Sequence, residues 1–395
     1  MNSLFPFSPI SKQGLENLKH YKYASTLSGF VDCVIMTPFW NWAVQFLPLW
    51  LAPNIITLIS LLHAIVAQLL FLYYCPTFTE VAPRWVYFVA AVCIFNYQLF
   101  DALDGKQARR TQSSSPLGQL FDHGCDALAS FCIAIMMAQT LQLGNSWNTW
   151  ILFVCTLVPF FLANWEESST GTMRYNGIVL GVTEAQFLVI IIFLIKGYCA
   201  HSAYQVEPIL IDWLVIVISV AAVIQSLDHI NHVRKYFQAR HKIELQNNSS
   251  FNSTQFPSYE LMQFYNQRSQ AVDQIMQFAL YIVVGTICYH YLVISNENTY
   301  IVLFLWTIGL LFALQVSCLI LSHVTQDDYP SFWRLFVFQV LIPVIMPFGT
   351  FYWNDINLKL CGLVMFIHVL YFRFVYQSIK QITRFLGISC FKITN

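Results

Sequence analysis

Ten long apolar stretches constrain this chain more than any other feature of its sequence. Each holds roughly the 20 predominantly apolar residues that an α-helix needs to cross the roughly 30 Å hydrocarbon core of a bilayer. They cover residues 53–74, 85–107, 117–141, 147–166, 181–200, 211–230, 271–294, 299–323, 332–352 and 357–378. The sequence therefore predicts an all-α polytopic membrane protein with about ten transmembrane helices.

The composition supports this fold class and excludes others. Of the 395 residues, 57% are hydrophobic and only 10% are charged, which is not typical of water-soluble folds. The 20 basic and 20 acidic residues balance and form no basic cluster, so nucleic-acid binding is excluded. The eleven cysteines are scattered without a C-x2-C pair, and we expect them to pack as small core residues.

The distribution of lysine and arginine predicts the orientation in the membrane. An even number of spans places both termini on one side, and that side receives every Lys and Arg except Arg84, Lys196 and Lys359. Because cytoplasmic loops carry an excess of basic residues, we expect both termini to face the cytosol. The short turn between the second and third spans then lies on the same side.

Two segments outside the spans define the domain organisation. Residues 25–50 are apolar, interrupted by Asp32, Pro38 and Pro48 and rich in tryptophan, a pattern typical of an amphipathic helix in the membrane interface. Residues 236–270 form the longest polar stretch and are predicted to be a cytosolic loop. The predicted units are an N-terminal cytosolic segment with the interfacial helix (1–51), a six-span core (52–235), the loop (236–270) and a four-span bundle with a cytosolic tail (271–395).

Four aspartates mark the ends of the second and third spans. Asp101 and Asp104 are three residues apart, and Asp122 and Asp126 are four apart, so each pair shares one helix face. The short turn between the spans predicts that the two helices pack side by side and bring the carboxylates together. Four carboxylates repel one another in a low-dielectric setting, and carboxylates are preferred ligands of hard divalent cations. We therefore predict a metal site holding a pair of ions, as in many phosphoryl-transfer enzymes.

Other residues between these aspartates suit the same chemistry. Gly105 and Gly118 remove side chains where a ligand or a neighbouring helix can approach closely. Arg109 offers a fork of hydrogen-bond donors that matches a phosphate group. Acids within membrane spans are functional more often than they are parts of a solvated turn.

These residues form the run D-x2-D-G-x2-A-R-x8-G-x3-D-x3-D, which resembles the signature of the CDP-alcohol phosphotransferase family. The longer string DGKQARRTQSSSPLGQLFDHGCDA is similar to the eukaryotic choline/ethanolamine phosphotransferase branch. The segments Trp50-Leu-Ala-Pro-Asn-Ile-Ile-Thr57 and Trp165-Glu-Glu167 are also similar to that branch. The resemblance covers nearly the whole chain and makes the six-span core the catalytic one.

The resemblance implies an activity. It implies transfer of phosphocholine or phosphoethanolamine from CDP-choline or CDP-ethanolamine to diacylglycerol, which forms phosphatidylcholine or phosphatidylethanolamine and releases CMP. It also implies Mg²⁺ or Mn²⁺ as cofactor, a homodimer, contact with membrane lipids, and a place in the endoplasmic reticulum or Golgi membrane with a cytosolic active site.

The resemblance also assigns site residues. The metal ligands are Asp101, Asp104 and Asp122, with Asp126 as a further ligand or a base. The residues assigned to the CDP-donor pocket are Asn54, Thr57, Gly105, Ala108, Arg109 and Gly118. At the start of a span after a proline, Asn54 and Thr57 are equally well explained as a simple helix start.

The general base and the residues that position the substrates are less constrained. His123 has an unperturbed pKa of about 6.5, which suits proton abstraction near neutral pH, and it competes for this role with Asp126. Glu166 and Glu184 lie at span ends and are candidates for positioning the head group or the acceptor, or are solvated interfacial acids.

Two alternative functions are compatible with the same spans. One is a sister CDP-alcohol enzyme with another head group, such as inositol. The other is a cation- or proton-coupled transporter, but transporter sites lie near the bilayer midplane between paired broken helices, whereas these acids cluster at one end of the spans. The choice between choline and ethanolamine stays open.

Overall fold

The computed structural model describes residues 10–24, 26, 31–174, 181–199, 208–249, 259–295, 300–330 and 355–393. All regular elements within these ranges are helices. The α-helices are α1 (Lys12–Asn17), α2 (Thr37–Ala43), α3 (Pro53–Tyr74), α4 (Arg84–Arg110), α5 (Pro116–Thr140), α6 (Trp147–Thr170), α7 (Val182–Cys199), α8 (Pro208–Ser249), α9 (Tyr259–Tyr289), α10 (Ile301–Thr325) and α11 (Ile356–Leu386). Short π-helical turns at Asp32–Met36 and His290–Ile294 and a 3-10 turn at Val44–Phe46 adjoin α2 and α9.

The helices from α3 to α11 are the membrane-spanning elements. Within the described residues, nine helices are long and apolar enough to cross a bilayer. They coincide with nine of the ten predicted spans, and the remaining one, residues 332–352, lies outside the described residues. The prediction of an all-α polytopic membrane protein is confirmed.

The bundle packs around α3, α5 and α10. Helix α3 packs along both α4 and α5, whereas α4 and α5 make few contacts with each other. This differs from the expectation that α4 and α5 pack side by side, because α3 provides the surface on which both rest. Helix α10 packs against α5 and α11 and is buried on nearly all sides, as its uniformly apolar sequence requires.

The cytosolic loop predicted for residues 236–270 is largely helical in the described residues. The described parts of that stretch, 236–249 and 259–270, are helical and extend α8 and α9 beyond their apolar portions. Hydropathy does not detect such extensions, because lysine, arginine, glutamine and glutamate are good helix formers in water. Arg240 and Glu244, one turn apart in α8, approach to 3.8 Å.

Of the predicted interfacial segment, residues 25–50, the part from residue 31 to residue 46 is helical and the described residues 26 and 47–50 are not. It is tied to the last turn of α4. Lys106 Nζ donates to Asn41 Oδ1 at 2.8 Å, and Arg110 Nη1 donates to the carbonyl oxygen of Leu47 at 2.7 Å. Trp42 and Trp50 are exposed, as an interfacial helix requires, but its place in the membrane stays a prediction.

Candidate active site

Three aspartates from α4 and α5 converge between those two helices. One carboxylate oxygen from each of Asp101, Asp122 and Asp126 lies within 4.8 Å of the others, and we call these three residues the acid cluster. Asp104, one turn after Asp101, is buried and accepts a hydrogen bond from the Thr57 hydroxyl of α3. The helical spacing of the acids therefore brings them together, and α3 holds the fourth in place.

The acid cluster fits a divalent cation. Asp101 Oδ1 and Asp122 Oδ1 are buried and have no hydrogen-bond partner among the described residues. Asp126 Oδ1 accepts from the Tyr97 hydroxyl at 2.7 Å, which orients that carboxylate. Because an uncompensated buried carboxylate is costly, and because carboxylate oxygens are the ligands that Mg²⁺ and Mn²⁺ prefer, these residues are suited to hold such an ion.

His123 is buried beside the acid cluster, and its neighbours define its tautomer. Asn164 of α6 donates its Nδ2 to the carbonyl oxygen of Phe160 at 2.9 Å, so its Oδ1 is the acceptor that faces His123. His123 Nδ1 lies 3.2 Å from that Oδ1 and therefore carries the hydrogen. The lone pair of the neutral ring is then on Nε2, which is the nitrogen able to accept a proton.

A buried carboxylate, Glu167, stands behind His123. Its Oε2 lies 3.8 Å from His123 Nδ1, and its Oε1 accepts from Gln119 Nε2 at 2.7 Å. His323 of α10 approaches Glu167 to 4.0 Å. The Tyr21 hydroxyl donates to Gln119, and burial raises the pKa of Tyr21, so this tyrosine stays a donor. Glu167 is thus oriented by Gln119, with its carboxylate close to the His123 ring.

Glu166, the neighbour of Glu167 in the chain, is bound elsewhere. Its carboxylate pairs with Arg174, with His229 Nδ1 at 2.6 Å and with His232 Nδ1 at 2.9 Å. Arg174 also pairs with Asp228 at 3.0 Å, and its hydrogen bond to Glu166 raises the pKa of its guanidinium. These five residues form a second charged group, which we call the Glu166 cluster, and it links α6 to α8. Glu166 and His229 are buried, whereas the other three side chains are partly exposed.

Glu184 lies in the first turn of α7 near the acid cluster. The carbonyl oxygen of the adjacent Thr183 accepts from Gln98 Nε2 at 3.2 Å, and Gln98 precedes Asp101 by one turn of α4. Glu184 Oε2 is buried without a hydrogen-bond partner among the described residues. Of the two glutamates predicted to position substrate, Glu184 has an uncommitted oxygen, whereas Glu166 does not.

The predicted donor-binding residues occupy the ends of α3, α4 and α5 next to the acids. A Cβ on Gly118 would lie 3.8 Å from Asn54 Oδ1, so the first turns of α3 and α5 meet there. A Cβ on Gly105 would lie 3.7 Å from Arg109 Nη1, and the partly buried Ala108 lies one turn after Asp104. Their contact with a CDP-donor stays a prediction.

Sequence reasoning missed several residues of this site. Tyr97 precedes Asp101 by one helical turn, and Asn164 precedes Glu167 by three residues, so helical spacing was a signal for both. Tyr21 and Cys390 reach the site from distant parts of the chain. No local pattern marks such long-range partners.

Comparison with known proteins identifies the family. A family model for CDP-alcohol phosphatidyltransferase matches residues 50–225, which include α3 to α7 and the four aspartates Asp101, Asp104, Asp122 and Asp126. The uncharacterised CDP-alcohol phosphatidyltransferase class-I family protein 2 of Dictyostelium discoideum is 36% identical over 338 residues, which are 85% of this chain and 75% of that protein. The chain belongs to the CDP-alcohol phosphatidyltransferase class-I family.

Two cholinephosphotransferases are similar over a shorter region. Cholinephosphotransferase 1 of Xenopus laevis is 39% identical over 206 residues, 52% of this chain and 50% of that protein. Cholinephosphotransferase 1 of Mus musculus is 36% identical over 222 residues, 55% of this chain and 54% of that protein. The matches thus span about half the length of these two relatives. Family membership implies an integral membrane transferase of phospholipid biosynthesis that uses a CDP-alcohol and a lipid acceptor and depends on divalent metal.

Proposed function

We propose that this protein transfers phosphocholine or phosphoethanolamine from CDP-choline or CDP-ethanolamine to diacylglycerol, producing phosphatidylcholine or phosphatidylethanolamine and CMP. The observation that carries the proposal is the acid cluster beside a buried histidine. Its three carboxylates converge, and two of their oxygens have no hydrogen-bond partner in the part of the chain that the structure describes. The similarity to two cholinephosphotransferases supports the choice of head group.

Asp101, Asp122 and Asp126 would hold a pair of Mg²⁺ or Mn²⁺ ions, and Asp104, held by Thr57, would complete the ligand set. When bound, the metal neutralises negative charge on the donor diphosphate. Tyr97 fixes the orientation of Asp126 through its hydrogen bond. Within the described part of the chain, no lysine or arginine forms an ion pair with these carboxylates, so a bound metal would supply the compensating positive charge.

The donor would bind across the adjacent helix ends. Arg109, exposed at the end of α4, binds a donor phosphate with its guanidinium. Gly105, Ala108 and Gly118 leave space for the nucleotide because their side chains are small or absent. Asn54 supplies polar contacts at the start of α3.

His123 would act as the general base. Its Nε2 takes the proton from the diacylglycerol hydroxyl, whose oxygen attacks the phosphorus nearer the choline or ethanolamine, and the bond from that phosphorus to the CMP oxygen breaks. Asn164 holds the reactive tautomer, and the charge of Glu167 stabilises the imidazolium that forms. Asp126 is the weaker candidate, since it would ligate the metal and its Oδ1 already accepts a hydrogen bond from the Tyr97 hydroxyl.

The surroundings of the site suggest how the substrates are placed. Glu184, with its buried uncommitted oxygen, would position the cationic head group or the acceptor. Arg109 and Arg110 in the last turn of α4 mark the cytosolic side, so we place the active site and both termini there. We further propose that the protein is a homodimer of the endoplasmic reticulum or Golgi membrane.

One assay tests the proposed function. Purified protein receives Mg²⁺ or Mn²⁺, diacylglycerol, and CDP-choline or CDP-ethanolamine in separate reactions, and CMP and product lipid are measured. We expect CMP and phospholipid to form in equal amounts with at least one donor. Product formation only from a CDP-lipid and inositol would favour the sister activity. A folded protein inactive with every donor would contradict the proposal.

A further inference from the structure

The segment that follows α11 turns back onto the bundle. Gly387 ends the helix in the left-handed region, with a φ of +69°, and its N–H donates to the carbonyl oxygen of Thr383. The N–H of Ile388 donates to the same oxygen at 3.2 Å. This glycine cap reverses the chain, so residues 388–393, which we call the post-α11 segment, pack on the protein.

The post-α11 segment contacts Asn54, a residue assigned to the donor pocket. Asn54 Nδ2 donates to the carbonyl oxygen of Cys390 at 2.9 Å and lies 3.6 Å from its Sγ. The contact commits the donor side of the amide and leaves Oδ1, an acceptor, beside Gly118. The orientation of Asn54 is therefore set by a residue 336 positions away in the chain.

A second contact joins the post-α11 segment to α5. The ring of Phe391 meets the ring of Phe121 edge to face, with centroids 5.8 Å apart. Phe121 immediately precedes Asp122, a predicted metal ligand. Phe391 remains 44% exposed, so much of an aromatic surface is open beside the site.

We propose that the post-α11 segment forms one wall of the CDP-donor pocket, where the Cys390 carbonyl orients Asn54 and the Phe391 ring packs against the cytosine base. The proposal rests on the proposed function, since it needs a cytidine donor in this pocket. Aromatic side chains stabilise nucleotide bases by stacking, and a preoriented amide binds without a further ordering cost. Residues 388–393 would thus position the donor without touching the reacting phosphorus.

The kinetics of matched variants test whether residues 388–393 line the donor pocket. Phe391→Ala should raise the KM for CDP-choline by roughly tenfold, the effect of losing one base–aromatic contact, while kcat and the KM for diacylglycerol change little. Phe391→Trp should restore the donor KM, because it keeps an aromatic surface. Phe366→Ala is the control, since Phe366 lies in α11 and is 43% exposed, nearly the same as Phe391. A chain ending at Gly387 should show a larger rise in donor KM than Phe391→Ala.

A second measurement keeps the proposal testable if the shortened chain fails to fold. CDP-choline with Mg²⁺, in the absence of diacylglycerol, should slow alkylation of Cys390, followed by peptide mass spectrometry. Alkylation of the partly buried Cys361, near the other end of α11, should not change.

Specific outcomes would overturn the proposal. An unchanged donor KM in Phe391→Ala, or Cys390 alkylation unaffected by CDP-choline, would mean that the segment does not line the pocket. A lower donor KM in the shortened chain would mean that it obstructs the pocket. A wild-type protein that uses no CDP-donor would instead refute the proposed function, and that failure is distinguishable because it affects the wild type itself.

Discussion

The acid cluster and the Glu166 cluster both bury carboxylates within the bundle, but they neutralise them differently. In the Glu166 cluster, Glu166 and Asp228 have basic partners from the protein itself. In the acid cluster, Asp101 and Asp122 each keep a buried oxygen that has no hydrogen-bond partner within the described ranges. Since buried charges require compensation, the first group is complete as it stands and the second requires a cation from outside. The comparison thus distinguishes ion pairs that connect two helices from a predicted metal site, although both contain buried carboxylates.

The largest expected effect comes from removing a ligand. Asp122→Ala should lower turnover by about 1,000-fold or more, because losing a ligand disrupts the metal site that stabilises the transition state. The matched control is Asp228→Asn, which removes a carboxylate charge from the Glu166 cluster and should keep most of the activity per folded molecule. CMP release by purified protein measures both. Near-normal turnover in Asp122→Ala would remove the distinction between the clusters.

The next effect concerns the base beside the acid cluster. His123→Ala should lower kcat by about 100-fold while the KM for the CDP-donor and Mn²⁺ affinity stay nearly unchanged, because the loss falls on the transition state. In a plot of kcat against pH, the fall in kcat on the acidic side should disappear in this variant. If His123→Ala keeps most of its kcat and Asp126→Asn loses activity with metal still bound, Asp126 is the base.

A smaller effect is expected for the residue that orients His123. Asn164→Ala removes the acceptor of the Nδ1 hydrogen and should lower kcat by roughly tenfold, as for other partners of functional histidines. Asn164→Asp, which keeps an acceptor, should recover part of the loss. Equal kcat in Asn164→Ala and wild type would mean that the hydrogen bond from His123 to Asn164 does not contribute to catalysis.

The smallest expected effect is on stability, and its sign differs between the clusters. In chelator, Asp101→Asn should raise the melting temperature by about 2 °C, because it removes repulsion among unpaired carboxylates. Asp228→Asn should lower it by a similar amount, because Arg174 loses a partner. Thermal unfolding in one detergent measures both. Shifts of the same sign would contradict the comparison.

The sequence predicted the acid cluster but not the Glu166 cluster, for a physical reason. Asp101, Asp122 and Asp126 lie on two helices joined by a short turn, so helical spacing predicted their convergence. Glu166 and Glu167 are adjacent, and consecutive helical residues point in different directions. Their partners Arg174, His229 and His323 come from separate segments, and only tertiary packing reveals which glutamate stands near His123.

The same limit applies to the fold. Runs of apolar residues predicted the membrane spans, because burial in lipid is a local property of sequence. Two other features depend on contacts between distant residues: the packing of α4 and α5 on α3, and the hydrogen bond from Asn54 to residues 388–393. A third, the extension of α8 to Ser249, is a polar helix outside the apolar span. A hydropathy scan detects neither long-range contacts nor polar helices.

Mn²⁺ binding tests most directly the claim that the acid cluster requires an external cation. Electron paramagnetic resonance of free Mn²⁺, titrated with purified protein, reports affinity and stoichiometry without turnover. The account predicts saturable binding by wild type, unchanged binding by Asp228→Asn, and loss of binding at the same concentrations by Asp101→Asn. Binding by Asp101→Asn with the affinity and stoichiometry of wild type would contradict it.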